Sequence, residues 1–315
     1  MLMEILLDPT MLSDFLSTSL RLSIPVVFAA LGGVLSERSG VYNIGLEGMM
    51  LAGAFGAAVG TFFTDLPIVG LVTGMFAGTL TAVVLAVLAV SLGVSQIVAG
   101  IAINIFSIGV TSFLSRIVFS GQANTMTLPG YKAFAIPGLA SIPIIGPVLF
   151  NQDALVYLMY VTVPLLFYLL FRTSWGLNIR AVGENPRAAD TAGVRVNMVR
   201  YLCVLGSGAL AGLGGCYLVL SQVFLFSEHM SAGKGFIALA AIILGRWNPV
   251  GALLACLLFG LFDALQLRLQ FANPEVPYQA FVILPYVVSI LALVGLVGKP
   301  RPPGAVGLPY KREGR

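Results

Sequence analysis

Charge is what this sequence has least of. Only 10% of its 315 residues are charged while 58% are hydrophobic, and the mean hydropathy is +0.97. A water-soluble domain of this length carries roughly 25% charged residues to cover its surface. The polar outer faces that a large soluble helical protein needs are missing. Histidine occurs once, at His229, and the three cysteines, Cys203, Cys216 and Cys256, sit in apolar runs without CxxC spacing. That pattern offers neither a zinc ligand set nor a disulfide framework. The apolar stretches also lack the clustered His, Cys, Asp and Glu of a membrane-embedded enzyme. No G-x-x-x-x-G-K-[ST] loop for nucleotide phosphates exists, since Gly233-Lys234-Gly235 has neither the upstream glycine nor the Ser/Thr. No cofactor is therefore expected on this chain. The first residues carry Glu4 and Asp8 rather than basic charge, which argues against a cleaved signal peptide.

What is abundant is apolar sequence in runs long enough to span a bilayer, which takes about 18–20 residues. Nine segments stand out, near 17–35, 42–63, 67–93, 96–119, 154–171, 199–222, 234–245, 250–270 and 278–298. The fold class read from them is all-α: a polytopic membrane helix bundle of about nine crossings, forming a single transmembrane domain over residues 1–315. Lys and Arg are retained on the cytoplasmic side of membranes. With the C-terminus inside, twelve of the 17 Lys and Arg fall on the inner side and five on the outer. Nine crossings then put the N-terminus outside. The inner side holds the loop 172–198 and the basic tail 299–315, and the outer side holds the long loop 120–153. The net charge of +4 marks no nucleic-acid surface; lipid is the expected surroundings.

Two segments are interrupted. Phe236–Gly245 is too short to cross a core of about 30 Å as helix. The polar stretch Glu228–Gly235 before it is expected to enter the membrane as non-helical backbone, which is tolerated only beside protein or a water-filled path. Gly40–Gly48 likewise opens an apolar helix with Asn43, Gly45, Glu47 and Gly48. Each break is followed by a proline-opened segment, Pro67-Ile68-Val69-Gly70 and Pro249-Val250-Gly251, and the two would run in opposite directions. Such a pair is a pointer to a transport path, and it leaves an inverted repeat open. Gly70, Gly74 and Gly78 recur every four residues, as do Gly56 with Gly60 and Gly208 with Gly212. Stripes of this kind let membrane helices approach closely.

Within 172–198, Asn185-Pro186-Arg187-Ala188-Ala189-Asp190-Thr191-Ala192-Gly193 spells a two-turn helix. Asn185 is an N-cap, Pro186 suits the first helical position, and Gly193 can take the left-handed conformation that ends it. Two turns are unstable alone in water, so this helix either lies on the membrane surface or enters a socket on a partner.

At these residues the sequence resembles a family. Ser39-Gly40-Val41-Tyr42-Asn43-Ile44-Gly45-Leu46-Glu47-Gly48-Met49-Met50, the loop Ala181-Val182-Gly183-Glu184-Asn185-Pro186 with Ala188-Ala189, and Gly245-Arg246-Trp247-Asn248-Pro249 with Gly251-Ala252 resemble signatures of ABC importer permease subunits. The branch is the one serving simple sugars, branched-chain amino acids and nucleosides, and the nucleoside type is the nearest. The resemblance covers roughly 17–298. It implies a second permease subunit, an ATP-binding cassette subunit that supplies the ATP and Mg²⁺ chemistry inside, and an extracytoplasmic substrate-binding lipoprotein. It also makes Glu184, Asn185, Pro186, Arg187, Ala188, Ala189 and Asp190 the coupling contact to the ATPase.

For the translocation path or gate the candidates are Asn43, Glu47, Gln96, Asn104 and Lys234. Glu47 lies about two turns into the second segment, and an ionisable group there must be paired or wet. It either lines the path with Asn43 or is a tie to backbone or to Arg38; the motif's recurrence across substrates favours the tie or a gate. Gln96 and Asn104, eight apart, share a helix face as path lining or as interhelical hydrogen bonds. Phe106 and Phe224 can stack a base or simply pack. The loop 120–153 is either a dock for the binding protein or a cap over the helices. An ion-coupled secondary transporter is the competing class, but it needs ionisable groups near the midplane.

Overall fold

The computed structural model describes residues 8–119, 126–272, 283, 287 and 301–311. Helix α1 spans Pro9–Arg38, α2 Leu46–Thr64, α3 Pro67–Ala86 and α4 Gln96–Val118. After a short α5 (Ile145–Phe150) come α6 (Ala154–Arg172), α7 (Ser174–Glu184) and α8 (Pro186–Thr191). The described bundle ends with α9 (Val196–Tyr217), α10 (Lys234–Leu244) and α11 (Pro249–Ala272). Both α3 and α9 run on through a π-helical turn, at Val87–Ser91 and Leu218–Val223. Seven described helices are long and apolar enough to cross a membrane, and α10 is a shorter apolar helix. This is a polytopic helical bundle. The ninth apolar segment, 278–298, falls outside the described residues.

Helix α1 starts earlier than its apolar run. The Asp8 carboxylate accepts from Thr10 N (2.8 Å), capping the first turn, and Pro9 occupies a first-turn position where no amide is needed. The added polar turns are covered by the loop 126–153, whose α5 lies against them, with Ser17 Oγ donating to Pro147 O (3.4 Å).

Helices α1 and α9 form the centre and are mostly buried, whereas α3, α4, α6 and α11 expose much of their apolar surface. The glycine stripes lie where α2, α3 and α9 meet. A Cβ on Gly74 would stand 2.6 Å from Gly53 O, and one on Gly78 would stand 2.4 Å from Gly208 O. With no hydrophobic drive between helices in lipid, this backbone-to-backbone packing is what holds them.

The loop 126–153 folds back as a cap. Leu128 N donates to Phe224 O and Tyr131 N to Leu220 O, both at 2.7 Å. A two-residue antiparallel pair joins Phe134–Ala135 to Asn151–Gln152, and Arg21 Nε donates to Gln152 Oε1 (2.8 Å). At the opposite end of the bundle lie the turns 39–45 and 246–248, the loop 173–195 and the strap 301–311.

Candidate functional site

The break before α2 is buried, so its backbone must find partners inside the protein. It finds them on α4, and α9 takes up the side chain of Asn43. Gln96 Oε1 accepts from Tyr42 N (2.6 Å), Asn104 Nδ2 donates to Ile44 O (2.9 Å), and Asn104 Oδ1 accepts from Gly48 N (2.8 Å). Asn43 Nδ2 donates to Ser207 Oγ (2.8 Å). Gln96 and Asn104 do share a face of α4, and that face is turned onto the break. Asn43, Gln96 and Asn104 are thus buried interhelical ties.

Glu47 lies in the first turn of α2, because the helix starts only at Leu46; residues 42–45, apolar enough to count as span in the sequence, are loop. Its carboxylate, 6% exposed, accepts from Ser231 Oγ (2.6 Å), Gly233 N (2.8 Å) and Gly235 N (2.6 Å). The tie to backbone is therefore present, but to the second break rather than to Arg38. The two helix N-termini meet here: a Cβ on Gly235 would fall 2.4 Å from Glu47 N, so only glycine fits without displacement. A carboxylate placed where two helix dipoles point their positive ends is in favourable company.

Arg38 serves the other end of α10. Its Nε donates to Trp247 O (2.7 Å) and its Nη2 to Arg246 O (3.4 Å). Trp247 Nε1 donates to Glu37 Oε2, and Glu37 is 1% exposed. Arg246 and Trp247 both hold positive φ, 54° and 53°. One stretch, Glu37–Glu47, thus grips both ends of α10. The 11 residues of α10 span about 16 Å at 1.5 Å each, about half of a bilayer core. Glu47 and Arg38 therefore hold opposite ends of this short helix. Glu37, Trp247, Ser231 and Ser207 were not among the sequence candidates; an acid beside Arg38 at a helix end reads as an ordinary interfacial charge.

Beside Glu47 a cavity of about 330 Å³ opens between α4 and residues 229–236, with Glu47, Asn104, His229 and Ser231 as its polar wall and Ile101, Ile105 and Phe236 as its apolar one. It lies at the edge of the chain, since Ile101, Ile105 and Phe236 are each about half exposed or more. The wall includes strained backbone, with positive φ at His229 (59°) and Ala232 (47°). Lys234 opens α10 half-buried, with Asp263 of α11 as its electrostatic partner, and does not line this cavity. Phe106 is 65% exposed on the outer face of α4, while Phe224 packs against Gly130 under the cap.

The loop 173–195 carries the expected two-turn helix. Asn185 Oδ1 accepts from Ala188 N (3.1 Å), Pro186 opens α8, and Gly193 ends it at φ 86°. Ala189 is buried and docks it. The 11-residue α7 before it is a further element: Thr173 Oγ1 caps it by accepting from Gly176 N (3.1 Å), and Ile179 and Val182 bury one face. Arg187, Ala188 and Asn185 face outward, whereas the Glu184 carboxylate accepts from Gly304 N (3.1 Å) of the strap.

Residues 15–293 match the family described as branched-chain amino acid transport system / permease component. The chain is 39% identical over 312 residues to the guanosine ABC transporter permease protein NupQ of Bacillus subtilis, covering 95% of this chain and 97% of that one. It is 40% identical to the nucleoside ABC transporter permease protein NupC of Lactococcus lactis, over 91% of this chain and 93% of that one. It is 37% identical to the putative glucose ABC transporter permease protein TsgC13 of Haloferax volcanii, over 82% and 78% respectively. No solved structure matches.

Proposed function

The chain belongs to the branched-chain amino acid transport system permease family, and from that premise we propose how it works: it is the multi-pass membrane subunit of an ABC importer that moves nucleosides inward. The observation that carries the mechanism is the meeting of two broken segments at Glu47, beside an edge cavity walled by Asn104, His229 and Ser231. Broken helices that place backbone and polar groups at depth are how transporters build a solute path in lipid. Because the cavity opens at the edge of the chain, a second permease subunit completes the path. ATP is hydrolysed on a separate cassette subunit, which docks on α8 through Asn185, Pro186, Arg187 and Ala188. An extracytoplasmic binding lipoprotein delivers the solute at the end capped by 126–153, and the C-terminus is cytoplasmic. Glu47 acts as the gate latch, with Asn43, Gln96 and Asn104 fixing the backbone around it and Lys234 setting the start of α10.

Uptake by the reconstituted complex tests this. Labelled guanosine should enter only with ATP inside, and excess unlabelled nucleosides, but not glucose or leucine, should compete. The glucose permease among the relatives makes sugar the second reading. Competition by glucose alone selects it, and uptake driven by an ion gradient without ATP refutes both.

A further inference from the structure

By composition the tail after residue 300 reads as a free basic end. In the structure, residues 301–311 form a strap across the loop-bearing end of the bundle. Ala305 N donates to Gly183 O (2.8 Å), Gly304 N donates to the Glu184 carboxylate (3.1 Å), and the buried Arg200 donates through Nη1 to Leu308 O (3.1 Å). Ala305 is 4% exposed and Tyr310 packs against the core. Pro309 reaches the turn between α3 and α4, where a Cβ on Gly93 would lie 3.7 Å from it. The backbone of the strap is thus fixed, while the side chains of Leu308, 58% exposed, and Lys311 remain outward.

Two troughs flank α8. One, about 620 Å³, lies between Glu184–Arg187 and the strap residues Leu308, Pro309 and Lys311. The other, about 310 Å³, lies beside Asp190 and Gly193–Met198. Tyr310 lines both. Helix α8 is therefore a ridge between two depressions, and the strap is a wall of each. A ridge of six residues falls well short of the roughly 800 Å² per partner that a stable interface buries. The strap side extends the ridge with an apolar contact at Leu308 and the outward Lys311, while Arg195 is exposed beside the other trough.

Resting on the reading of this chain as an importer permease, we propose that the strap is the second half of the docking surface for the ATP-binding cassette subunit. That subunit grips α8 and seats side chains in the trough between α8 and the strap, with an apolar group on Leu308 and acidic groups near Lys311 and Arg195. The Glu184 carboxylate, which also lines that trough, holds the strap in place through Gly304 N.

The test titrates the purified cassette subunit onto the full-length permease complex in lipid nanodiscs. Leu308→Asp with Lys311→Glu leaves the strap's backbone hydrogen bonds intact, so the thermal unfolding midpoint should stay unchanged while binding weakens at least tenfold. Ala188→Trp, on the exposed face of α8, is the companion variant. Weakening by Ala188→Trp together with unchanged binding by the strap variant overturns the inference and leaves the transport reading standing. A cassette subunit that fails to bind even the unaltered complex overturns both.

Discussion

Replacing Glu47 by glutamine removes one acceptor from a cluster built for two. The carboxylate takes Ser231 Oγ and Gly233 N on one oxygen and Gly235 N on the other. In Glu47→Gln one of those oxygens becomes an amide NH₂. The Ser231 hydroxyl can rotate to accept from it, but a backbone N–H cannot. Whichever way the amide is turned, the N–H of Gly233 or of Gly235 faces a donor. A buried unpaired donor costs about 1–3 kcal/mol, and bonds to a charged group are worth about 1.5–3 kcal/mol against about 1 for neutral ones. The contact between α2 and α10 should lose about 2–4 kcal/mol. At the lower figure, local opening becomes roughly thirtyfold more frequent. Hydrogen exchange followed by mass spectrometry reads this directly, since exchange from native proteins reports local opening free energies. Peptides covering 228–236 should exchange roughly thirtyfold faster or more, while those from α1 and α9 keep their rates. Unchanged exchange across 228–236 would show that the carboxylate does not hold the second break.

Other substitutions follow from the same contacts. Gly235→Ala drives a methyl to 2.4 Å from Glu47 N and should lower stability by at least about 1–3 kcal/mol; a wild-type unfolding midpoint would mean that the two N-termini are farther apart. Trp247→Phe takes away the one donor that, among the described residues, reaches the Glu37 carboxyl, on a side chain that is 1% exposed, at about 1–3 kcal/mol, and Trp247→Phe with Glu37→Leu should recover much of it because both polar partners are gone; thermal unfolding in nanodiscs reads the difference. Asn185→Ala deletes the cap of α8 at about 1 kcal/mol, so stimulated ATPase activity should fall while the global unfolding midpoint holds. In a double-mutant cycle, Glu47→Gln and Trp247→Phe should depart from additivity by more than about 0.5 kcal/mol although they lie at opposite ends of α10; simple additivity would show that α10 does not respond as one body.

The sequence was most legible where one physical rule acts alone. Apolar runs placed α4 and α6 to within a residue or two, because bilayer length is set by the lipid and not by the fold. The cap at Asn185, the proline at Pro186 and the glycine at Gly193 located α8, because each is a local backbone requirement. The four-residue glycine stripes pointed to real helix contacts for the same reason. Legibility failed where the partner is distant in the chain. A tie from Glu47 to backbone was open to the sequence, but nothing near Glu47 announces that the backbone is that of Gly233 and Gly235, 188 positions on for the latter. Nothing in the basic tail shows that its backbone is bound by Gly183, Glu184 and Arg200. Helix α7 did carry local signals, the Thr173 cap and the apolar face of Ile179 and Val182, but they sit inside a loop of polar and basic residues.

The two breaks explain one another. A helix of 11 residues in a membrane leaves backbone groups bare at both ends, and lipid satisfies none of them. At the N-terminal end of α10 the amides of Gly233 and Gly235 need an acceptor, which Glu47 supplies; at the other end the carbonyls of Arg246 and Trp247 need donors, which Arg38 supplies. The two side chains must stand roughly 16 Å apart along α10. Nine residues separate them in the chain, and as a continuous helix those nine would span only about 13 Å and carry α1 straight on, away from the start of α2. Non-helical backbone from Ser39 to Gly45 lets the chain turn back and still reach the right depth. That backbone in turn exposes amides and carbonyls of its own, which is why Gln96 and Asn104 are polar on an otherwise apolar helix, and Ser207 accepts from the Asn43 side chain within the break. Gln96, Asn104 and Glu47 thus answer backbone groups freed by a break, while Ser207 and Glu37 hold the side chains of Asn43 and Trp247. The residues flanking the break at 39–45, Arg38 and Glu47, give α10 both of its anchors, and the N-terminal end of α10 gives Glu47 the donors that make a buried carboxylate tolerable.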